Sequence, residues 1–196
     1  MINKGTVEAN VAELKAHGGN IYGVAVKNEG RVAATGVTRS GGQLFLSAGG
    51  GKVRSTGTLK AKRSDGSGGR IKVDSGRQES RTEIGGTVDA SSMSGAGGEI
   101  AVLGNEIEIF DGAIILNNGA TMGGVTRIGG GLRGQDPEFA NAENVVVGNG
   151  ARLSADATGS GNGGQVIVFA NRSLVFDGAI SARGGSLGGD GGLLTY

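Results

Sequence analysis

The sequence predicts an all-β protein, a parallel β-helix of about seven turns, each of roughly 27 residues and three short strands. Two phrases locked in phase carry that prediction. The first reads Gly5-Thr-Val-Glu-Ala9, Gly30-Arg-Val-Ala-Ala34, Gly57-Thr-Leu-Lys-Ala61, Gly86-Thr-Val-Asp-Ala90, Gly112-Ala-Ile-Ile-Leu116, Gly150-Ala-Arg-Leu-Ser-Ala155 and Gly178-Ala-Ile-Ser-Ala182. The second, usually Gly-Gly-x-aliphatic-x-aliphatic, has its later glycine at Gly19, Gly42, Gly69, Gly98, Gly124, Gly164 and Gly192, always 12 or 14 residues further on. In both phrases apolar and polar residues alternate, which is the period of a strand.

The first phrase repeats at intervals of 25, 27, 29, 26, 38 and 28 residues, a period at which one unit must stack on the next to bury its apolar face. Val7 and Ala9 share one face while Thr6 and Glu8 take the other, and Leu59 with Ala61 and Val88 with Ala90 do the same. Val7, Val32, Leu59, Val88, Ile114, Leu153 and Ile180 are therefore expected to form one interior ladder, with Val32, Leu59 and Val88 in parallel pairing. Second-phrase strands alternate in the same way, Leu44 with Leu46, Ile71 with Val73, Ile100 with Val102 and Val166 with Val168. Their double glycines suit corners that need positive φ or close approach to the next turn. A third strand per turn is clear in Val24-Ala-Val26, Ile107-Glu-Ile109, Val145-Val-Val147 and Leu174-Val-Phe176, and weaker around Val53 and Ile84. Turns stacked about 4.8 Å apart would make a rod of roughly 30 Å.

Composition supports the same architecture. Glycine supplies 43 of 196 residues beside a single proline and no collagen-like triplet, so glycine serves regular turns. A net charge of +1, from 19 basic and 18 acidic residues, gives no field that would gather nucleic acid. The absence of cysteine excludes disulfides and thiolate metal sites. No run approaches the roughly 18 apolar residues of a membrane helix. The repeat starts at once and the last second phrase is cut at Tyr196, so the chain reads as a single β-helix segment, 1–196, inside something longer.

The one long interval, between Gly112 and Gly150, locates an insertion at residues 129–144. It holds the only proline and breaks the alternation, and it reads as a loop thrown out from one corner. Arg133, Gln135, Asp136, Glu138 and Phe139 would stand together on this protrusion as a candidate binding loop, because loops carry recognition more often than the scaffold beneath them.

The runs Gly-Gly-Asn-Ile-Tyr-Gly-Val-Ala-Val-Lys-Asn-Glu-Gly (18–30), Gly-Gly-Gln-Leu-Phe-Leu-Ser-Ala-Gly-Gly-Gly-Lys-Val (41–53), Gly-Asn-Gly-Gly-Gln-Val-Ile-Val-Phe-Ala (161–170) and Gly-Gly-Gly-Leu-Arg-Gly-Gln-Asp-Pro (129–137) resemble filamentous haemagglutinin-type exoproteins. These are adhesins of bacterial two-partner secretion. The resemblance implies a right-handed parallel β-helix, export through an outer-membrane transporter, and attachment at the surface of a Gram-negative bacterium to glycans or proteins of host or bacterial surfaces.

Catalysis, metal binding and cofactors find little support in the residues. Glycoside hydrolysis needs two carboxyls held about 5 to 9 Å apart. Asp89, Asp156 and Asp177 fall in different phases of the repeat, and the outward position after the first-phrase aliphatic holds Glu8, Ala33, Lys60, Asp89, Ile115 and Ser181. His17, the only histidine, lacks a nucleophile elbow. Gly188-Gly-Asp-Gly-Gly192 does not recur every nine residues as calcium repeats do. An ice-binding threonine ladder is broken in the row Thr6, Arg31, Thr58, Thr87 and Ala113. Asn171-Arg-Ser173 matches the N-glycosylation acceptor pattern, which also arises by chance. The expectation is a non-catalytic rod of a secreted adhesin, without cofactor or metal. The rivals are a carbohydrate-active β-helix enzyme, marked by outward acids on neighbouring turns, and a ligand-free spacer.

Overall fold

The computed structural model describes residues 1–16, 24–35 and 42–196. Its strands fall into seven rungs of three. Rung one holds β1 (Ile2–Asn3), β2 (Thr6–Ala9) and β3 (Val11–Ala16), and rung two β4 (Val24–Asn28), β5 (Arg31–Thr35) and β6 (Gln43–Ala48). Rung three is β7 (Gly51–Ser55), β8 (Thr58–Lys62) and β9 (Arg70–Asp74), and rung four β10 (Ser80–Ile84), β11 (Thr87–Asp89) and β12 (Glu99–Leu103). Rung five is β13 (Glu106–Ile109), β14 (Ile114–Leu116) and β15 (Val125–Ile128), and rung six β16 (Asn144–Val147), β17 (Arg152–Ser154) and β18 (Gln165–Val168). Rung seven is β19 (Ser173–Phe176), β20 (Ala179–Ser181) and β21 (Leu193–Thr195).

Corresponding strands of successive rungs pair in parallel, giving three seven-stranded sheets: the first begins with β1, the second with β2 and the third with β3. The expected parallel β-helix is therefore the fold, with six complete turns between the first rung and the seventh.

The interior follows from the alternation. On the second sheet Val7, Val32, Leu59 and Val88 stack in register, and Val32, Leu59 and Val88 are at most 1% exposed. On the third, Leu46, Val73, Val102, Ile128 and Val168 form an equally buried column. Glycine at the corners answers to close approach: a Cβ on Gly86 would overlap the carbonyl oxygen of Gly57, and one on Gly98 that of Gly69. A side chain there would hold successive turns apart.

One rung of the ladder is corrected. Val88 pairs with Ile115, not Ile114, and Ile115 pairs with Leu153. Ile115 is fully buried while Ile114 is 37% exposed. The corner before β14 carries two extra residues, 110–113 against 85–86 one rung earlier: Gly112 turns with φ +69°, and Ala113, closed onto Phe110 by a 3.1 Å hydrogen bond, takes the place that Gly86 holds there. Gly150 and Ala151 repeat the device before β17. The outward threonine row is broken by Ile114 and not by Ala113, and Leu116, not Ile115, follows Asp89 outside.

The weak signal around Val53 and Ile84 also has a cause. β7 and β10 are full strands, but Ser55 and Thr82 occupy interior positions. Ser55 continues a buried polar column in which Asn3 donates to the Asn28 Oδ1 at 2.8 Å and Asn28 to the Ser55 hydroxyl at 3.2 Å. Thr82 donates to the Leu103 carbonyl at 2.6 Å. Rung five holds a second polar pair, Asn117 and Thr126, where rung four has Ala90 and Ile100. The Asn117 amide donates to the Gly98 carbonyl at 3.1 Å and to the Thr126 hydroxyl at 3.2 Å. Buried polar groups persist when they are paired in this way.

Candidate functional site

The insertion begins where β15 ends and closes on itself at once, the Ala142 N–H donating to the Gly129 carbonyl at 2.9 Å. Its last residue belongs to the scaffold: Asn144 opens β16 and pairs with Glu106, so the loop proper spans 129–143. A single 3-10 turn, Leu132–Gly134, leads into Asp136-Pro-Glu-Phe139. That segment is a tight turn with proline at its second position. Phe139 N–H meets the Asp136 carbonyl at 3.2 Å and Glu138 N–H meets the Asp136 carboxylate at 3.1 Å. The Asn141 amide, 2.9 Å from the Gly134 carbonyl, ties the two halves together.

The loop is not the free protrusion that its composition suggests. It lies along the outer face of the third sheet, where Phe45, Lys72, Ala101, Arg127 and Ile167 stand in register. The Phe139 ring takes the Arg127 guanidinium 4.6 Å from its centroid, a cation–π contact, and Arg127 is held in turn by Glu99 at 3.2 Å. Outer-face Ala101, Leu103 and Ile167 are 4%, 1% and 2% exposed, so a second, smaller apolar patch lies outside the helix.

Two hollows flank Phe139. The larger, about 460 Å³, is lined by Gln135, Asp136, Phe139 and Asn141 of the insertion, by Arg77 and by Asn171. The smaller, about 160 Å³, lies between Phe139 and Phe45, with Arg70, Lys72, Glu99 and Glu138 around it. Of the expected loop residues, Gln135, Asp136 and Phe139 line the first hollow, and Glu138 and Phe139 the second. Arg133 is exposed and lines neither.

Arg77, Asn171 and Phe45 were not expected at this place. All the corners between the third sheet and the first lie one above another, and their lengths create the larger hollow. Rung three has a five-residue corner (75–79), rung four only Gly104 and Asn105, and rung five the insertion. A short corner between two long ones leaves a recess into which the Arg77 turn and the insertion both face. Counting corner lengths by phase is the sequence signal that finds it.

Outward acids do occur on neighbouring turns: Glu83 of β10 pairs in register with Glu108 of β13. Neither is free. Glu83, 4% exposed, is ion-paired with Lys52 at 3.1 Å, Arg54 at 3.6 Å and Arg81 at 2.9 Å, and Arg81 also binds Glu108. Burial works to lower the Arg81 pKa, but the hydrogen bond that Arg81 donates to Glu108 and the charges of both glutamates raise it above the ordinary value. Arg54 further lies 5.1 Å from the Phe110 centroid. The assembly is a charge lattice joining rungs three to five.

Asp156 is similarly committed. Burial acts to raise its pKa, and the Arg183 N–H at 2.6 Å, the Ser181 hydroxyl at 2.5 Å and the Arg183 guanidinium at 3.2 Å outweigh it and hold the carboxyl below the usual range. Asp89 pairs with Lys60 at 2.7 Å. Among the described residues no group of three or more His, Cys, Asp or Glu is placed to hold a metal ion. His17 lies outside the described residues.

What fold and surface define is a class: a parallel β-helix rod with one folded side loop. Compared with known proteins, the chain matches no protein-family model and no curated protein.

Proposed function

We propose that this chain is a structural rod segment of a secreted bacterial surface adhesin, of the filamentous haemagglutinin type that its sequence resembles. In this reading the full-length protein leaves the cell through an outer-membrane transporter of two-partner secretion. The stacked rungs hold the insertion away from the cell surface, where it attaches to glycans or proteins of host cells, other surfaces or other bacteria, and many weak contacts add through avidity. The observation that supports it is the insertion itself: the longest corner of the helix is folded into a fixed surface with a hollow on each side of Phe139. A spacer has no use for such a surface. The outward acids on neighbouring turns that would mark a carbohydrate-active enzyme, Glu83 and Glu108, are both engaged by cations.

The test is adhesion of cells displaying the full-length protein with residues 130–141 replaced by a short turn joining Gly129 to Ala142. Attachment should fall toward that of cells lacking the protein, with β-structure retained in circular dichroism. Undiminished attachment by a folded variant would refute the reading, and cleavage of a polysaccharide by the purified chain would replace it with the enzyme.

A further inference from the structure

We infer that the larger hollow, between the 75–79 turn and the insertion, is a saccharide site that selects neutral sugars. The inference rests on the reading of the insertion as the attachment element and names what it attaches to.

The chemistry of the wall decides the ligand class. Arg77 offers five guanidinium N–H donors and has no carboxylate in ion-pairing range among the described residues, although most of the other cations there have one. The Gln135 side-chain amide, which makes no hydrogen bond among the described residues, supplies a donor and an acceptor together. Asp136 spends one carboxylate oxygen on the Glu138 N–H and keeps the other. Asn171 gives its amide N–H to Glu143 at 3.1 Å and keeps its carbonyl oxygen.

Donors and acceptors therefore share one recess that also holds a cation and an anion. An anionic ligand would meet Asp136 and a cationic one would meet Arg77, each at the cost of like charge in a partly enclosed place. A hydroxyl both gives and takes a hydrogen bond, and a ring carrying several hydroxyls satisfies both kinds of group at once. The Phe139 ring adds an apolar wall for the C–H face of such a ring. The volume, about 460 Å³, lies within the roughly 300–1,000 Å³ of small-molecule sites.

The backbone on both sides is held in an uncommon conformation. Glu79, φ +45°, and Arg133, φ +57°, are the two non-glycine residues with positive φ among the described residues, and they lie in the two loops that bound the recess. Such residues persist where the surroundings over-determine them, and they gather at ligand clamps.

The experiment is saturation-transfer difference NMR on the intact chain with the methyl glycosides of glucose, galactose, mannose and N-acetylglucosamine, beside glucuronate and glucosamine. Transfer to at least one neutral glycoside is expected, with Kd raised about tenfold or more by Arg77→Ala or by Gln135→Ala. Both side chains are exposed and make no hydrogen bond or ion pair among the described residues, so the thermal unfolding of the variants should match that of the parent. No transfer to any neutral glycoside, preference for glucuronate or glucosamine, or transfer indifferent to both substitutions would each overturn the inference. The two readings fail separately. Lost adhesion without sugar binding keeps the attachment loop and removes the saccharide, whereas sugar binding with undiminished adhesion keeps the site and removes the attachment role.

Discussion

The two faces of the third sheet are built by different rules. On its inner face Leu46, Val73, Val102, Ile128 and Val168 repeat one chemical choice at every turn, and each is buried by its own neighbours in the stack. On its outer face Phe45, Lys72, Ala101, Arg127 and Ile167 share no common character, and Ala101 and Ile167 lie covered on a side of the sheet that would otherwise meet water. The inner face depends on periodicity, so any rung could replace another. The outer face depends on a single insertion, so its stability and its chemistry are local. A repeat protein thus gains a site where it departs from its repeat.

The sharpest way to break this contrast is at the corrected rung. Ile115→Asp would place an unpaired carboxylate in the interior column between Val88 and Leu153, at a cost of several kcal/mol, about 4 or more. Ile114→Asp, one residue away, faces water beside Arg152 and should cost under about 0.5 kcal/mol. Urea unfolding of the two variants measures the difference, and equal losses would place the register elsewhere.

Next in size is the outer patch. Phe139→Ala should cost about 1–3 kcal/mol, since the ring is half-buried and holds the insertion against the sheet through Arg127. The loss should come with faster amide exchange in 129–143 while the strands of rungs two to four keep their protection. Uniform exchange across the chain would mean that the two faces are energetically one.

The polar pair of rung five tests whether the interior tolerates exceptions only in matched sets. Asn117→Ala alone removes the amide that meets the Thr126 hydroxyl and should cost about 1–3 kcal/mol. Adding Thr126→Ile restores the Ala and Ile that rung four carries as Ala90 and Ile100, and most of the loss should return. A double variant as unstable as the single one would show that the pair sets the register of the stack and is not a tolerated substitution.

The smallest effect is acid dependence at the last rungs. The folded Asp156 carboxyl sits below its ordinary pKa, so its contribution is complete above the ordinary carboxylate range and is lost as pH falls through the lowered value. Amide exchange of β20 should accelerate in that acidic window, and Asp156→Asn should abolish the extra acceleration. An unchanged pH profile would assign the anchoring of rung seven to the backbone ladder alone.

The sequence by itself determined the number of rungs, the three strands in each, which residues face inward in most of them, and where the insertion lies. These are local and periodic properties: a two-residue alternation and a recurrent glycine are written in one dimension, and stacking only repeats them. It misplaced Ile114 because Ala-Ile-Ile-Leu is apolar at every position, so alternation cannot choose a face and the longer corner passes unnoticed until Val88 pairs with Ile115. It predicted a protruding loop because composition marks an irregular segment without saying whether that segment finds a surface. Only the tertiary structure decided that Phe139 meets Arg127, that Asn117 finds Thr126, and that Arg77 faces Gln135 across the short corner at Gly104 and Asn105. The first two pairings depend on how one rung and its own corner fold in three dimensions, and the third on how corners of unequal length line up along the stack, a quantity that no single unit of the repeat contains.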